Sequence, residues 1–240
     1  MDVPPRTDRR LEATTCWDFP TQRLGDLPAG DPRFNGCTPA LVVWNLLQRY
    51  TRPGDLVVDA MAGSGTTLDV ARICGRRVLA FDLHPTRPDI IECDARKLPL
   101  EEGAVDLHVI DSPYSDNIAY SDEPGDIGKL SARTEAFYEA LDAVAGELYR
   151  TLRPGGIVAW VISDEYRQGT FTPVGFRLYG DLLRRFAPVD ILCLVRRHDR
   201  SLNPLWEHRA RKRNFFLRGF KYVFLLRKEA GVRPSASSTG

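Results

Sequence analysis

The sequence lacks several features that would assign it to a specialised class of protein. No apolar run approaches the roughly 20 residues that span a bilayer, and the N-terminal MDVPPRTDRR has no signal-peptide core. The five cysteines are odd in number and form no Cys-x-x-Cys pair, so neither a disulfide framework nor a zinc site is indicated. We therefore expect a cytoplasmic protein that has no bound metal and no membrane partner.

Two common phosphate-binding loops are missing as well. Residues 55–71 read DLVVDAMAGSGTTLDVA, an apolar strand followed by glycines at the start of a helix. The dinucleotide pattern G-x-G-x-x-G requires a third glycine where Leu68 stands. A nucleotide P-loop requires a lysine after Gly65, and Thr66 is found there. The loop therefore fits neither pattern.

Acidic residues stand instead at the ends of successive predicted strands. Asp59 leads the glycine loop, Asp82 ends the next strand and Asp94 follows a third, short one. An acid at the end of the second strand can accept hydrogen bonds from both hydroxyls of a ribose. Three carboxylates without a phosphate-binding lysine suit a cationic, phosphate-free nucleoside cofactor, and S-adenosylmethionine is one; the alternative is a tight turn with two structural glycines. The predicted cofactor-binding residues are Asp59, Ala60, Gly63, Ser64, Gly65, Thr66, Asp82, Asp94 and Ala95.

The chain of 240 residues alternates strands and helices, which indicates one α/β domain with a largely parallel sheet. We predict an extended arm over 1–33, the main domain over 34–228 and a disordered tail over 229–240. Thr38 and Pro39 are predicted to be the N-cap and first residue of a helix. Seven strands are predicted, at 55–60, 77–83, 89–91, 105–111, 157–163, 190–195 and 221–226.

Several stretches resemble the DNA amino-methyltransferases. PGDLVVDAMAGSGTTLDVA is similar to the cofactor loop of that family, and DSPY at 111–114 to its catalytic Asp/Asn/Ser-Pro-Pro-Tyr. CWDFPTQ, SPYSDNIAYSDEPGDIGKLS, LRPGG and KRNFFLRGFKYVFLLRK extend the likeness over most of residues 16–228. The resemblance implies a Rossmann-like sheet of seven strands, of which the last is antiparallel. It also implies S-adenosylmethionine as the cofactor.

The implied reaction transfers a methyl group to an exocyclic amino group of a DNA base, adenine N6 or cytosine N4, with a slight preference for adenine. In this scheme Asp111 and the carbonyl of Ser112 accept the two N–H groups, and Pro113 fixes that carbonyl. Tyr114 stacks on the extruded base. Family members usually have proline where this chain has Ser112. A base methyltransferase for RNA and an inactive DNA-binding relative stay as alternatives, as does a plain Ser-Pro turn at this position.

Positive charge is concentrated in one part of the chain. The formal net charge is only +1, yet the stretch from residue 196 to 213 is strongly basic. Such a cluster can contact the phosphates of double-stranded DNA. The acidic loop 115–130 is interpreted as a lid over the base. The resemblance leaves room for a homodimer and for a cognate restriction endonuclease as partners. The predicted DNA contacts are Arg196, Arg197, Arg200, Arg209, Arg211, Lys212 and Arg213.

Overall fold

The computed structural model describes residues 10–31, 37–116, 125–196 and 203–231. Within these residues the α-helices are α1 (Ala40–Tyr50), α2 (Thr66–Ile73), α3 (Glu135–Thr151), α4 (Val174–Leu182) and α5 (Pro204–Arg213), with a 3₁₀ turn at Ile127–Lys129. The strands are β1 (Cys16–Trp17), β2 (Leu56–Asp59), β3 (Arg77–Asp82), β4 (Ile91–Glu92), β5 (Val105–Asp111), β6 (Leu152–Ile162), β7 (Glu165–Arg167), β8 (Thr170–Thr172), β9 (Ala187–Val195) and β10 (Phe220–Arg227).

One sheet organises the described part of the chain. Its strand order is β1-β9-β10-β6-β5-β2-β3-β4, and β10 alone runs antiparallel to its neighbours. The predicted fold, a mostly parallel Rossmann-like sheet with an antiparallel last strand, is therefore confirmed. The predicted number of seven strands is wrong, because the two residues of β1 add an eighth strand beside β9.

Several described residues of the predicted N-terminal arm pack against the main domain. Trp17 is 2% exposed, and its ring lies 5.9 Å from that of Phe19. Both residues, together with Leu24 and Ala29, pack into the apolar cluster that α1 forms with the sheet. Residues 1–9 and 32–33 of the predicted arm lie outside the described residues, whereas four apolar side chains between residues 17 and 29 are buried in the core.

Helices cover both faces of the sheet. One apolar cluster joins α3 and α4 to β5, β6 and β10, and a second joins α1 and α2 to the other face. Helix α3 ends at Thr151, and β6 begins at once at Leu152, earlier than predicted. Pro154, Gly155 and Gly156 lie inside β6, since the backbone N–H of Gly155 donates to Lys228 and that of Lys228 to Gly156. No helix in the described ranges is long and apolar enough to cross a membrane.

Candidate functional site

A cavity of about 680 Å³ opens where the parallel strands end. Its walls come from the ends of β2, β3, β5 and β6 and from the segments that flank α5. The carboxyl ends of parallel strands are where open α/β sheets bind ligands, and this volume suits a small molecule. We call the wall formed by residues 59–67, 82–86 and 94–95 the acidic half. We call the wall formed by 111–114, 164–166 and the lining residues from 196 to 221 the aromatic half.

The acidic half contains eight of the nine residues predicted to bind a cofactor. Gly65 is absent from the lining; it is the left-handed N-cap of α2, and a Cβ there would lie 2.6 Å from an Arg87 nitrogen. Its role in the structure is therefore to turn the backbone. The residues of the prediction that line the cavity are Asp59, Ala60, Gly63, Ser64, Thr66, Asp82, Asp94 and Ala95.

Backbone amides hold the carboxylates of the acidic half. Asp82 accepts from the N–H of Gly63 at 2.8 Å and from that of His84 at 3.0 Å, so it ties the glycine loop to the end of β3. Burial raises the pKa of Asp82 above its usual value. Asp59 accepts from the N–H of Met61 at 3.1 Å, and burial raises its pKa to about 7.

Asp94 differs from the other two acids because it has a cationic partner. Both of its oxygens accept from the guanidinium of Arg96, at 2.9 Å and 3.0 Å from Nε. Burial acts to raise the pKa of Asp94, but the hydrogen bonds from Arg96 outweigh it and the pKa is lowered. Arg96 also donates to the carbonyl of Gly125, which connects this corner of the cavity to the opposite loop.

Asp111 ends β5 and is held by side chains from two distant elements. The hydroxyl of Thr38 donates to its Oδ2 at 2.6 Å, and the Nζ of Lys221 lies 2.7 Å from the same oxygen. The predicted capping role of Thr38 is therefore wrong. Pro39 occupies the N-cap position of α1, where no side chain makes a capping bond, and the Thr38 hydroxyl is used by Asp111. The sequence reasoning missed Lys221, whose side chain is only 11% exposed.

Ser112 connects the DSPY tetrapeptide to the neighbouring strand. Its hydroxyl accepts a hydrogen bond from Nε1 of Trp160 on β6 at 2.9 Å, and both side chains are buried. A proline at this position would leave the buried indole N–H without this acceptor. The serine, which departs from the family pattern, therefore has a structural reason in this chain. Pro113 and Tyr114 line the cavity beside it.

Aromatic rings form the wall opposite the glycine loop. Tyr166 of β7 stacks on Phe215 with ring centroids 5.2 Å apart and planes 11° from parallel. Trp206 of α5 and Phe216 also line the cavity. Of the rings in this half, the sequence predicted Tyr114 as a base contact and Trp206 as part of the basic stretch. No local periodicity indicated that the β7–β8 hairpin and the segment after α5 would meet.

The predicted DNA contacts fall into three groups. Arg196 lines the cavity itself, with its guanidinium 5.8 Å from the centre of the Tyr114 ring. Arg197 and Arg200 lie outside the described residues, as does the middle of the predicted lid, 117–124. The others are exposed on α5, next to Trp206 at the edge of the cavity: Arg209, Arg211, Lys212 and Arg213.

Comparison with known proteins supports the interpretation of the glycine loop. The family model of DNA methylases of the N6/N4 type matches residues 5–92. This match confirms the resemblance to the DNA amino-methyltransferases; it contains the glycine loop and ends before Asp111. A ribosomal protein L11 methyltransferase of Geobacillus kaustophilus is 30% identical over 111 residues, which are 46% of this chain and 32% of that protein. The chain thus spans about a third of the length of this curated relative.

Solved structures share the fold at low sequence identity. TrmN from Thermus thermophilus superposes with a TM-score of 0.53 at 20% identity, over 81% of this chain and 50% of that one. The [4+2]-cyclase SpnF superposes with a TM-score of 0.54 at 13% identity, over 85% of this chain and 88% of that one. These likenesses establish the architecture, whereas both of the sequence matches are to methyltransferases.

Proposed function

We propose that this protein transfers a methyl group from S-adenosylmethionine to the exocyclic amino group of a base in DNA, with adenine N6 slightly favoured over cytosine N4. One observation carries the proposal. Asp111 stands at the end of β5, directly beside β2, on the wall of the same cavity that Asp59 and Asp82 line. An acceptor for an amino group therefore faces the place where a nucleoside cofactor fits.

The charge of the cavity suits this cofactor. Seven acidic side chains line it against three basic ones, and the basic side chains, Arg196, Arg218 and Lys221, all belong to the aromatic half. A sulfonium cation gains from such a surrounding, whereas a phosphate would be repelled from the acidic half. Asp82 would accept from the ribose hydroxyls with the lone pairs that Gly63 and His84 leave. Asp94 would receive the adenine amino group beside Arg96.

The chemistry assigned to the chain is to position a poor nucleophile. S-adenosylmethionine supplies the electrophilic methyl group when bound. The amino nitrogen of a base is weakly nucleophilic because its lone pair is delocalised into the ring, so acceptors that favour a pyramidal nitrogen lower the barrier. Asp111 Oδ1 and the carbonyl of Ser112 would accept the two N–H groups. Thr38 and Lys221 both bind Oδ2, and this fixes the direction of Oδ1.

The aromatic half would receive the base. A base inside a duplex cannot reach a cavity at the end of a sheet, so it has to be extruded. Tyr114 and the stacked pair of Tyr166 and Phe215 offer rings for it to stack on. The exposed basic residues of α5 would contact the phosphates on either side.

Transfer of a labelled methyl group tests this function directly. The protein is incubated with S-adenosylmethionine that carries a deuterated methyl group and with duplex DNA, total RNA or a protein mixture. Nucleosides from each digest are then analysed by mass spectrometry, with Asp111→Ala as the blank. We expect the label in N6-methyldeoxyadenosine, or in N4-methyldeoxycytidine. Label found only in RNA or only in protein would refute the DNA assignment, and label in none of the three would favour the inactive relative.

A further inference from the structure

An exposed aromatic ring stands at the mouth of the cavity, outside the groups assigned above. Phe216 is 81% exposed, although it also contributes to the cavity lining. Phe171, on the β7–β8 hairpin, is 48% exposed. Contiguous exposed apolar surface, unlike a single exposed side chain, can mark a site of interaction. The surface around these rings is therefore a candidate binding site.

Arg218 contacts the ring of Phe171 and the backbone of Phe216. The guanidinium of Arg218 lies 5.2 Å from the centre of the Phe171 ring, and its Nη2 donates to the carbonyl of Phe216 at 3.0 Å. Arg218 and Phe216 line both the main cavity and a smaller one of about 140 Å³ beside it. We call Phe171, Phe216 and Arg218 the rim platform. It is therefore continuous with the aromatic half of the site.

Contacts with neighbouring segments fix the position of the β7–β8 hairpin. Tyr166 of the hairpin stacks on Phe215, the residue before Phe216, so the hairpin and this segment pack as a unit. Arg167 forms a salt bridge of 2.7 Å with Asp116, close to the DSPY tetrapeptide. The rim platform is thus attached to the same elements that form the base side of the cavity.

We propose that the rim platform binds a nucleotide adjacent to the target base, by stacking that neighbouring base on Phe216. This inference rests on the proposed function. A strand that delivers one base into the cavity has to leave it across the rim, so the neighbouring nucleotide comes next to Phe216. Aromatic rings with an arginine beside them bind unpaired bases of any sequence and attract the phosphates that accompany them. An acidic partner would not need the aromatic rings, and a purely apolar partner would not need the arginine.

Binding of a short single strand tests the platform. Fluorescence anisotropy gives the affinity for a labelled 12-nucleotide oligodeoxyadenylate and for a strand of the same length without bases. On the strand with bases, we expect Phe216→Ala to bind roughly 5- to 150-fold more weakly than the wild type. Phe216→Tyr should stay near the wild type and Phe216→Leu should not, because stacking needs a ring. On the strand without bases, the wild type and all three variants should bind alike.

A matched control separates stacking from a general loss of apolar surface. Ile191 is 40% exposed on β9 and pairs with Phe224, four residues along β10 from the cavity end. Ile191→Ala should bind both strands as the wild type does. An equal loss of affinity in Ile191→Ala and Phe216→Ala would overturn the proposal.

Other results would also overturn it. One such result is an unchanged affinity of Phe216→Ala while the wild type binds the strand and methylates DNA. It would refute the role of the rim platform and leave the proposed function standing. If Phe216→Leu bound the strand as tightly as the wild type, this would show that no base stacks on the Phe216 ring. Self-association that Phe216→Ala abolishes, measured by sedimentation, would assign the ring to a subunit interface. A wild type that neither binds the strand nor methylates DNA would remove both proposals together.

Discussion

Asp59 and Asp82 of the acidic half are held in a different way from Asp111 of the aromatic half. In the acidic half, Asp59 accepts a hydrogen bond from the backbone N–H of Met61, and Asp82 accepts from those of His84 and of Gly63 in the glycine loop. In the aromatic half, Asp111 is held by the side chains of Thr38 and Lys221, which come from opposite ends of the chain. A backbone donor is lost only on substitution by proline, whereas a side-chain donor is lost in most substitutions. Single substitutions should therefore disturb the aromatic half more selectively than the acidic half.

Substitution of Asp111 gives the largest expected effect. In the proposed function, Asp111→Ala removes an acceptor that would be used most strongly in the transition state, and loss of one such preorganised group typically costs ~10²–10³ in turnover. Asp111→Asn keeps an acceptor oxygen and should lie between the alanine variant and the wild type. Single-turnover methylation of DNA measures both variants. Turnover of Asp111→Ala at the parental rate would mean that the tetrapeptide is only a turn.

The ion pair with Lys221 is the next strongest expected contribution. Lys221→Met leaves the largely buried Asp111 carboxylate without its cation, which should destabilise the fold by about 3 kcal/mol and lower turnover. Lys228→Met is a matched control, because Lys228 is also buried but donates to the carbonyls of Tyr149 and Leu152, on the side of α3. Urea unfolding should detect a loss of stability in both variants. Equal loss of turnover in both would show that Lys221 acts only through stability.

Substitution of Asp82 should act on the other half of the cavity. Asp82→Ala removes the anchor of Gly63 and the proposed acceptor for the ribose, so S-adenosylmethionine should bind roughly 10- to 100-fold more weakly. The turnover measured at saturating cofactor should fall much less than in Asp111→Ala. Calorimetric titration measures the affinity. An unchanged affinity would exclude Asp82 from the ribose site.

The raised pKa of Asp59 predicts how cofactor affinity depends on pH. With a pKa of about 7, the Asp59 carboxyl of the free protein is mostly protonated below pH 7. A cation bound nearby favours the carboxylate, so binding releases a proton and affinity should rise with pH, by at most tenfold per pH unit below 7, and level off above. Asp59→Asn should lose this dependence. Identical pH profiles in the two proteins would contradict the assignment.

The basic residues of α5 should give the smallest effect per side chain. Replacing Arg209, Arg211 and Lys212 by glutamine should weaken DNA binding for all sequences and flatten its salt dependence by about 0.9 per lost phosphate contact. Arg227→Gln, an exposed change at the far end of β10, is the control. A salt slope that does not change would show that α5 faces away from the DNA.

The acidic half could be predicted because its signals are local. Asp59, Gly63 and Gly65 occupy one loop, and Asp82 follows the next strand, so the strand–loop–helix order alone brings them together. The main strands of the sheet were predicted for the same reason, since each is an apolar run between turn residues. The two-residue strand β1 was not predicted, because Cys16–Trp17 is too short to show a periodicity.

In the aromatic half, only Asp111 to Tyr114 and Arg196 were predicted as site residues. Lys221 lies 110 residues from Asp111, and Thr38 lies 73 residues away, so no sequence window contains a contacting pair. Thr38 misled the prediction because a threonine before a proline is also a good helix cap. Tyr166 and Phe215 meet only through the tertiary fold.

The affinity of Asp111→Ala for S-adenosylmethionine tests most directly the claim that one half of the cavity binds the cofactor and the other performs the chemistry. Titration calorimetry compares this variant with the wild type under the conditions of the turnover assay. The account predicts a dissociation constant close to that of the wild type, although turnover falls ~10²–10³-fold. A loss of cofactor affinity as large as the loss of turnover would contradict it, because Asp111 would then belong to the cofactor site.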